Sequence, residues 1–82
     1  MRLDLFLSTV GVIKRRAEAK GAADAGMVTV NNRAGKAGQD VKVGDIVTIA
    51  GNNRRTIEIL RIPVASVPKS LRSEFFRELP VV

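Results

Sequence analysis

The sequence predicts a small α+β domain in which two N-terminal helices pack on a small antiparallel β-sheet, with a short C-terminal helix after it. Apolar residues recur at helical spacing as far as Gly26 and then alternate along the chain. Pro63 and Pro68 separate this alternating region from a last amphipathic segment. A chain of 82 residues has room for one core. We expect the main domain in residues 1–62 and a C-terminal extension in residues 63–82.

Two helices are predicted at the start of the chain. The first is indicated by four apolar residues at helical spacing: Leu3, Phe6, Leu7 and Val10. Gly11 follows, where a left-handed residue would end that helix. The second helix is predicted from Val12 or Ile13 to Ala25, since this stretch is rich in good helix formers and Gly26 can cap it.

Strand signals begin after Gly26. Residues 28–30 alternate and lead into Asn31 and Asn32, which tolerate positive φ and predict a tight turn. Two β-rich segments, joined by a loop at residues 51–53, predict a hairpin: Ile46–Ile49 and residues 56–62.

The C-terminal extension carries an apolar stripe that predicts an amphipathic helix: Leu71, Phe75, Phe76 and Leu79. Charged residues would face water on the other side: Arg72, Glu74, Arg77 and Glu78. The stripe either completes the core or docks a partner protein. Together with Phe6, the two Phe residues of this stripe are the only aromatic residues, and their apolar faces favour core packing over base stacking.

Composition restricts the function. Fourteen Lys and Arg against eight Asp and Glu give a net charge of +6, which favours a polyanionic partner such as nucleic acid, although an anionic membrane surface or solubility would also explain it. Without Cys or His, zinc sites and Cys or His chemistry are excluded. The sequence shows no pair of carboxylates that suits general acid and base catalysis, and no Gly-rich phosphate-binding loop. Nothing in the sequence therefore indicates an enzyme. We expect a cytoplasmic protein with no cofactor, metal, membrane partner or small-molecule substrate.

Basic residues cluster at the start of the second helix: Lys14, Arg15, Arg16 and Lys20. Cations at a helix N-terminus are unfavourable because they lie at the positive end of the helix dipole. A bound phosphate would offset this cost, so the arrangement suits a phosphate ligand. Arg33 and Lys36 would add a second basic edge beside the sheet. The alternative is an ordinary solvated helix face.

The remaining cations lie in the second half of the chain. Arg54 and Arg55 fit either recognition or solubility. The others alternate with Glu residues and favour solubility: Arg61, Lys69, Arg72 and Arg77.

Several segments in this order resemble the S4 RNA-binding domain: residues 2–7 (RLDLFL), 13–20 (IKRRAEAK), Gly26, 28–31 (VTVN) and 41–45 (VKVGD). Within that superfamily, residues 13–16 (IKRR), residues 51–54 (GNNR) and the Ile62-Pro63 exit before a short helix resemble the stand-alone bacterial RqcP and fifteen-kilodalton heat-shock protein group. The resemblance implies an S4-type αL-like fold, with the RNA-binding domain in residues 1–62. The chain departs from the family pattern in three places: Leu5 stands where a basic residue is usual, Asn32 where Gly is usual, and Ala37–Gly38 where Pro-Ser is common.

The resemblance also implies a function. The chain would bind rRNA and tRNA on the large ribosomal subunit and act in ribosome-associated quality control of obstructed peptidyl-tRNA complexes. Carried over, the RNA-contacting positions are Arg2, Lys14, Arg15, Arg16, Lys20, Arg33 and Lys36. Alternatives are a role in ribosome assembly or RNA-linked stress, or a protein-interaction module that uses Phe75 and Phe76. The oligomeric state stays open.

Overall fold

The computed structural model describes residues 1–51 and 54–80. The predicted α+β class is confirmed, because two helices lie against a five-stranded antiparallel sheet. In chain order the elements are α1 (Leu3–Thr9), α2 (Arg16–Asp24), β1 (Val28–Val30), β2 (Arg33–Ala34), β3 (Ile46–Ile49), β4 (Arg55–Ile59), a 3₁₀ helix (Lys69–Glu74) and β5 (Phe76–Leu79). The loop predicted at residues 51–53 falls partly outside the described residues. Within those residues, no helix has the length and apolar character needed to span a bilayer.

The sheet has the strand order β2-β1-β3-β4-β5, and the helices cover one face of it. Alternate residues of the three central strands point into the core because side chains in a strand alternate between faces. Val47 of β3 lies between Val30 on β1 and Ile57 on β4, and all three are buried. Leu3 and Phe6 of α1 are fully buried in the same core. One hydrophobic core therefore joins α1, α2 and the sheet.

Helix α2 begins at Arg16, which is later than the sequence predicts. Val12 is buried in the core, and the Ile13 amide donates a hydrogen bond to the Leu7 carbonyl at 3.1 Å. These two contacts hold Val12 and Ile13 against the end of α1, so neither residue belongs to α2. Arg15 is in an extended conformation directly before the helix. Lys14 and Arg15 consequently precede the helix, and only Arg16 and Lys20 lie within it.

The predicted end of α2 and the predicted turn after β1 are confirmed. Gly26 has φ +77°, and the Met27 amide donates to the Ala22 carbonyl at 2.9 Å, as in a Schellman cap. Asn31 and Asn32 have φ values of 53° and 66°. Asn32 therefore serves in a turn where the S4 resemblance led us to expect Gly.

The predicted C-terminal helix is present only as the short 3₁₀ helix, and the prediction of an amphipathic helix that continues to Leu79 is wrong. A 3₁₀ helix ends at Glu74, and the chain then forms β5, which pairs with β4 so that Phe76 lies opposite Ile59 and Arg77 opposite Glu58. The backbone N–H and C=O groups along the outer edge of β4 need hydrogen-bond partners, and β5 provides them. The helical spacing of apolar residues in the C-terminal segment gives no sign of this pairing. Arg72, predicted to face water, is half-buried. The division of the chain at residue 62 stays a prediction.

Phe75 and Phe76 are half-buried and pack against the hydrophobic core. The Arg61 guanidinium carbon lies 5.1 Å from the centre of the Phe75 ring, a cation-π distance. Leu71, in contrast, is 44% exposed. The two aromatic side chains thus attach the C-terminal segment to the domain.

Replacing Phe76 by Ala should lower the free energy of unfolding by about 2 kcal/mol, roughly half the cost of this change at a fully buried site. Urea unfolding followed by circular dichroism measures this loss. Leu71→Ala is the control, because its exposed side chain should contribute less than about 1 kcal/mol. Equal small losses for both variants would contradict the packing of β5 on the core.

Candidate nucleic-acid interface

The carboxylate of Asp4 is only 2% exposed and contacts two of the predicted RNA-contacting residues, Arg2 and Arg16. Arg2 donates to it through Nε at 3.1 Å and Nη2 at 3.3 Å, and Arg16 donates through Nε at 3.5 Å. The backbone amide of Leu5 adds a hydrogen bond of 2.8 Å. Arg2 and Arg16 are themselves half-exposed. One buried acid therefore holds two cations at the surface, one from the residue before α1 and one from the first residue of α2.

The charges around Asp4 determine its protonation. Burial alone would raise the pKa of this carboxyl group, because it disfavours the charged form. The hydrogen bonds from Arg2 and from the Leu5 amide, with the positive charges of Arg2 and Arg16, outweigh burial and lower the pKa below 3.8. Asp4 is thus a stable anion at neutral pH.

Arg2 is attached to the loop that follows β2. The Leu3 amide donates to the Gln39 carbonyl at 2.8 Å, and Arg2 and Asp40 form an isolated antiparallel bridge. The N-terminal ammonium group of Met1 also lies 2.5 Å from an Asp40 carboxylate oxygen. These contacts fix the N-terminal segment against residues 37–41, so Arg2 lies beside this loop.

Lys36 is at the start of the same loop. Its amide donates to the Gln39 side chain at 3.0 Å, which closes a turn. A Cβ atom added to Gly38 would lie 3.6 Å from the Arg2 guanidinium, so the loop and that guanidinium are in van der Waals contact. The structure therefore brings the turn that carries Lys36 next to Arg2.

Arg33 lies further away, on β2 at the edge of the sheet. It borders a depression of about 500 Å³ together with polar residues from the neighbouring turns, which include Asn31, Gln39, Asp40, Lys42 and Asp45. Because two of these are acids, the depression is of mixed charge. Arg33 is thus the least tightly grouped of the predicted RNA-contacting residues.

The cations near α2 differ in their contacts. Lys14 and Arg15 are exposed, and among the described residues neither forms an ion pair. Lys20, one turn after Arg16, pairs with Asp24 at 2.8 Å in an exposed pair. Such a pair contributes little stability, so Lys20 can exchange Asp24 for another anion at small cost. No side chain in the described part of the chain caps the N-terminus of α2, and its first amides stay open to an anion.

The sequence analysis did not identify Asp4 as part of the site. A signal was present. Asp4 precedes Leu7 by three residues and so shares a helix face with an apolar residue. An acid on the apolar side of a helix and next to Arg2 indicates a buried, paired carboxylate.

Comparison with known proteins identifies the family. The S4 domain family matches residues 1–47, which is more than half of the chain. The chain belongs to the S4 domain family. The match spans the two helices, the turn after β1, the loop after β2 and the beginning of β3, and thus every position that the resemblance predicts to contact RNA.

Two curated relatives have the same name, RQC P-site tRNA stabilizing factor. The protein from Bacillus subtilis strain 168 is 43% identical over 60 residues, covering 72% of this chain and 70% of the relative. The protein from Helicobacter pylori strain 26695 is 41% identical over 73 residues, covering 84% of each. The predicted likeness to the RqcP group is confirmed.

Two solved structures have the same fold. Heat shock protein 15 of Vibrio cholerae, described as trimeric, superposes with a TM-score of 0.88 at 26% identity, covering 96% of this chain and 81% of that one. The solution structure of the hypothetical protein HP1423 gives a TM-score of 0.83 at 31% identity over the full length of both chains. The S4-type fold predicted from the sequence is therefore confirmed, including its likeness to the fifteen-kilodalton heat-shock protein.

Replacing Asp4 by Asn should lower the free energy of unfolding at neutral pH by about 1.5–3 kcal/mol, the usual contribution of hydrogen bonds to a charged group. Because the folded state lowers the pKa of Asp4, its contribution is fully present above the unfolded value near 3.8 and is lost as the pH falls through the folded value. Urea unfolding of both proteins from neutral to acidic pH checks this. The two free energies should converge in acid, and a constant difference would contradict the ionised pair.

Proposed function

We propose that this chain binds rRNA and tRNA on the large ribosomal subunit and acts in ribosome-associated quality control, at complexes that carry an obstructed peptidyl-tRNA. The main structural support is the grouping of Arg2 and Arg16 around buried Asp4. The relatives named RQC P-site tRNA stabilizing factor support the ribosomal context. The proposed RNA-contacting residues are those of the sequence analysis: Arg2, Lys14, Arg15, Arg16, Lys20, Arg33 and Lys36.

The surface suits phosphate groups held in a folded RNA. Asp4 engages Nε of Arg16, and Nε and Nη2 of Arg2, so each guanidinium keeps further donors for an outside acceptor. Guanidinium groups and ammonium groups bind phosphate oxygens strongly because both partners are charged. Since Arg2 and Arg16 are fixed by their shared acid, little side-chain entropy is lost when RNA binds.

Recognition would depend on shape more than on base sequence. Phe6 is fully buried, and Phe75 and Phe76 pack against the core, which disfavours stacking of these rings on splayed bases. Cations on rigid helices and on a closed turn instead match a fixed arrangement of phosphates. The protein would thus stabilise an RNA arrangement by binding it, with no chemical step.

A double variant tests the surface. Arg16→Ala with Lys20→Ala should abolish co-migration with large ribosomal subunits in a sucrose gradient, because two phosphate contacts on one helix face are lost. The control is Arg61→Ala with Arg77→Ala, which removes the same charge from C-terminal cations that form exposed ion pairs. The control should co-migrate as the wild type does.

The salt dependence of binding adds a second criterion. Five to seven phosphate contacts predict a fall of log K with log salt at a slope of roughly −4 to −6. A slope near −1, or wild-type protein that stays at the top of the gradient at low salt, would overturn the proposal. Association with precursor subunits in place of obstructed large subunits would favour an assembly role.

Replacing Asp4 by Asn separates the effect of where the arginines lie from the effect of net charge on RNA binding. Asp4→Asn raises the net charge by one, so a count of charges alone predicts tighter RNA binding. We expect binding about tenfold weaker, equal to ~1.4 kcal/mol, because Arg2 and Arg16 lose the anion that orders them. Binding to purified large subunits, measured by co-pelleting, gives the comparison.

Glu74→Gln is the matched control, since it adds the same charge at an exposed carboxylate on the 3₁₀ helix. It should leave binding unchanged or strengthen it slightly. If Asp4→Asn behaves like Glu74→Gln, the buried carboxylate does not position the RNA-binding arginines.

A further inference from the structure

The cations of the C-terminal half separate into two groups. Three of them pair with glutamates: Arg55 with Glu78, Arg61 with Glu74, and Arg77 with Glu58. This agrees with the solubility role that the sequence predicts for Arg61 and Arg77. Within the described residues the other three form no ion pair: Arg54, Lys69 and Arg72. The first two of these are exposed, as expected of solvated cations, whereas the last is half-buried.

Arg72 packs against the loop between α1 and α2. A Cβ atom added to Gly11 would lie 2.8 Å from Nη1 and 3.0 Å from Cδ of Arg72. Gly11 also has φ +77°, a conformation that suits glycine. The absence of a side chain at Gly11 therefore provides the space that the Arg72 guanidinium occupies.

The hydrogen-bonding capacity of Arg72 is not used within the described protein. Its Nε is enclosed and has no acceptor. Buried donors without partners are rare in proteins, since they lose their hydrogen bonds to water. The residue as a whole is half-buried, so part of its side chain reaches solvent, where an acceptor from outside can approach. A fixed guanidinium with free donors is suited to bind an anion.

The position of Arg72 connects it with the cations that precede α2. Gly11 and Lys14 are three residues apart, so their Cα atoms are separated by at most about 11 Å. On the same loop, Arg55 donates to the Val12 carbonyl at 3.2 Å, but Glu78 compensates its charge. Arg72 thus adds an uncompensated charge beside the segment that leads to Lys14 and Arg15.

We propose that Arg72 is a further RNA-contacting residue, which binds a backbone phosphate next to those bound by Lys14 and Arg15. The inference rests on the proposed function and extends its surface from the N-terminal helices to the 3₁₀ helix. We favour phosphate as the ligand because Lys14 and Arg15, which form no ion pair within the described residues, lie next to each other on the neighbouring segment. A guanidinium can donate two parallel hydrogen bonds to a phosphate, which fixes orientation as well as charge.

The test compares variants by co-pelleting with purified large ribosomal subunits over a series of potassium chloride concentrations. Arg72→Gln removes the charge but keeps much of the side chain that packs on Gly11. Loss of one phosphate contact should weaken binding several-fold and make the slope of log K against log salt shallower by about 0.7–0.9. Arg61→Gln is the matched control and should leave the slope unchanged, because Arg61 is an exposed partner of Glu74.

Arg72→Lys distinguishes contact from packing. A lysine keeps the charge but lacks the fork, so it should restore the wild-type slope with incomplete recovery of affinity. Urea unfolding of each variant verifies that the domain is intact. If Arg72→Gln matches Arg61→Gln while the wild type keeps its steep slope, the inference is overturned and the proposed function stands. If Arg72→Gln weakens binding of an acidic peptide and leaves the RNA slope unchanged, Arg72 serves a protein partner instead. Wild-type protein that does not pellet at low salt would overturn the proposed function itself.

Discussion

The buried carboxylate of Asp4 is the constraint that links the two N-terminal helices and the loop after β2. A charge removed from water is costly unless charged and hydrogen-bonding groups surround it. Arg2, Arg16 and the Leu5 amide meet this requirement, and together they hold the pKa of Asp4 below its usual value despite burial. Because Arg2 also bridges to the loop after β2, burial of one acid fixes the relation between α1, α2 and that loop. The folded core thereby determines where two cations stand at the surface.

The basic residues of this protein differ in how far neighbouring acids compensate their charge. In the C-terminal half, Glu58 and Glu78 compensate cations on β4 and β5, and these pairs accompany the pairing of the two strands. At the N-terminal helices the only buried acid is shared between two arginines, which leaves net positive charge, and exposed Lys14 and Arg15 add to it. Part of the surplus positive charge therefore lies at the start of α2, within the residues of the S4 family match, where a polyanion would bind.

Much of the fold could be predicted from local signals. Gly11 and Gly26 end the two helices because each adopts a left-handed conformation that other residues disfavour. The strand at Ile46–Ile49 follows from its β-branched residues. The start of α2 could not be predicted in this way, since burial of Val12 in the core and the hydrogen bond from the Ile13 amide to Leu7 place the residues before it. The apolar spacing of the C-terminal segment fitted a helix, but pairing with β4 produced a strand.

The candidate site could likewise be predicted only as far as local signals determine it. The sequence by itself determined the class of the domain, the excess of positive charge and the chemical types of the residues that carry it, because these depend on composition and on local spacing. Only the tertiary structure decided that Asp4 is buried between Arg2 and Arg16, that β5 completes the sheet, and that Arg72 packs on Gly11. Each of these depends on contacts between residues distant in the chain, and whether such contacts form is determined by the packing of the whole core.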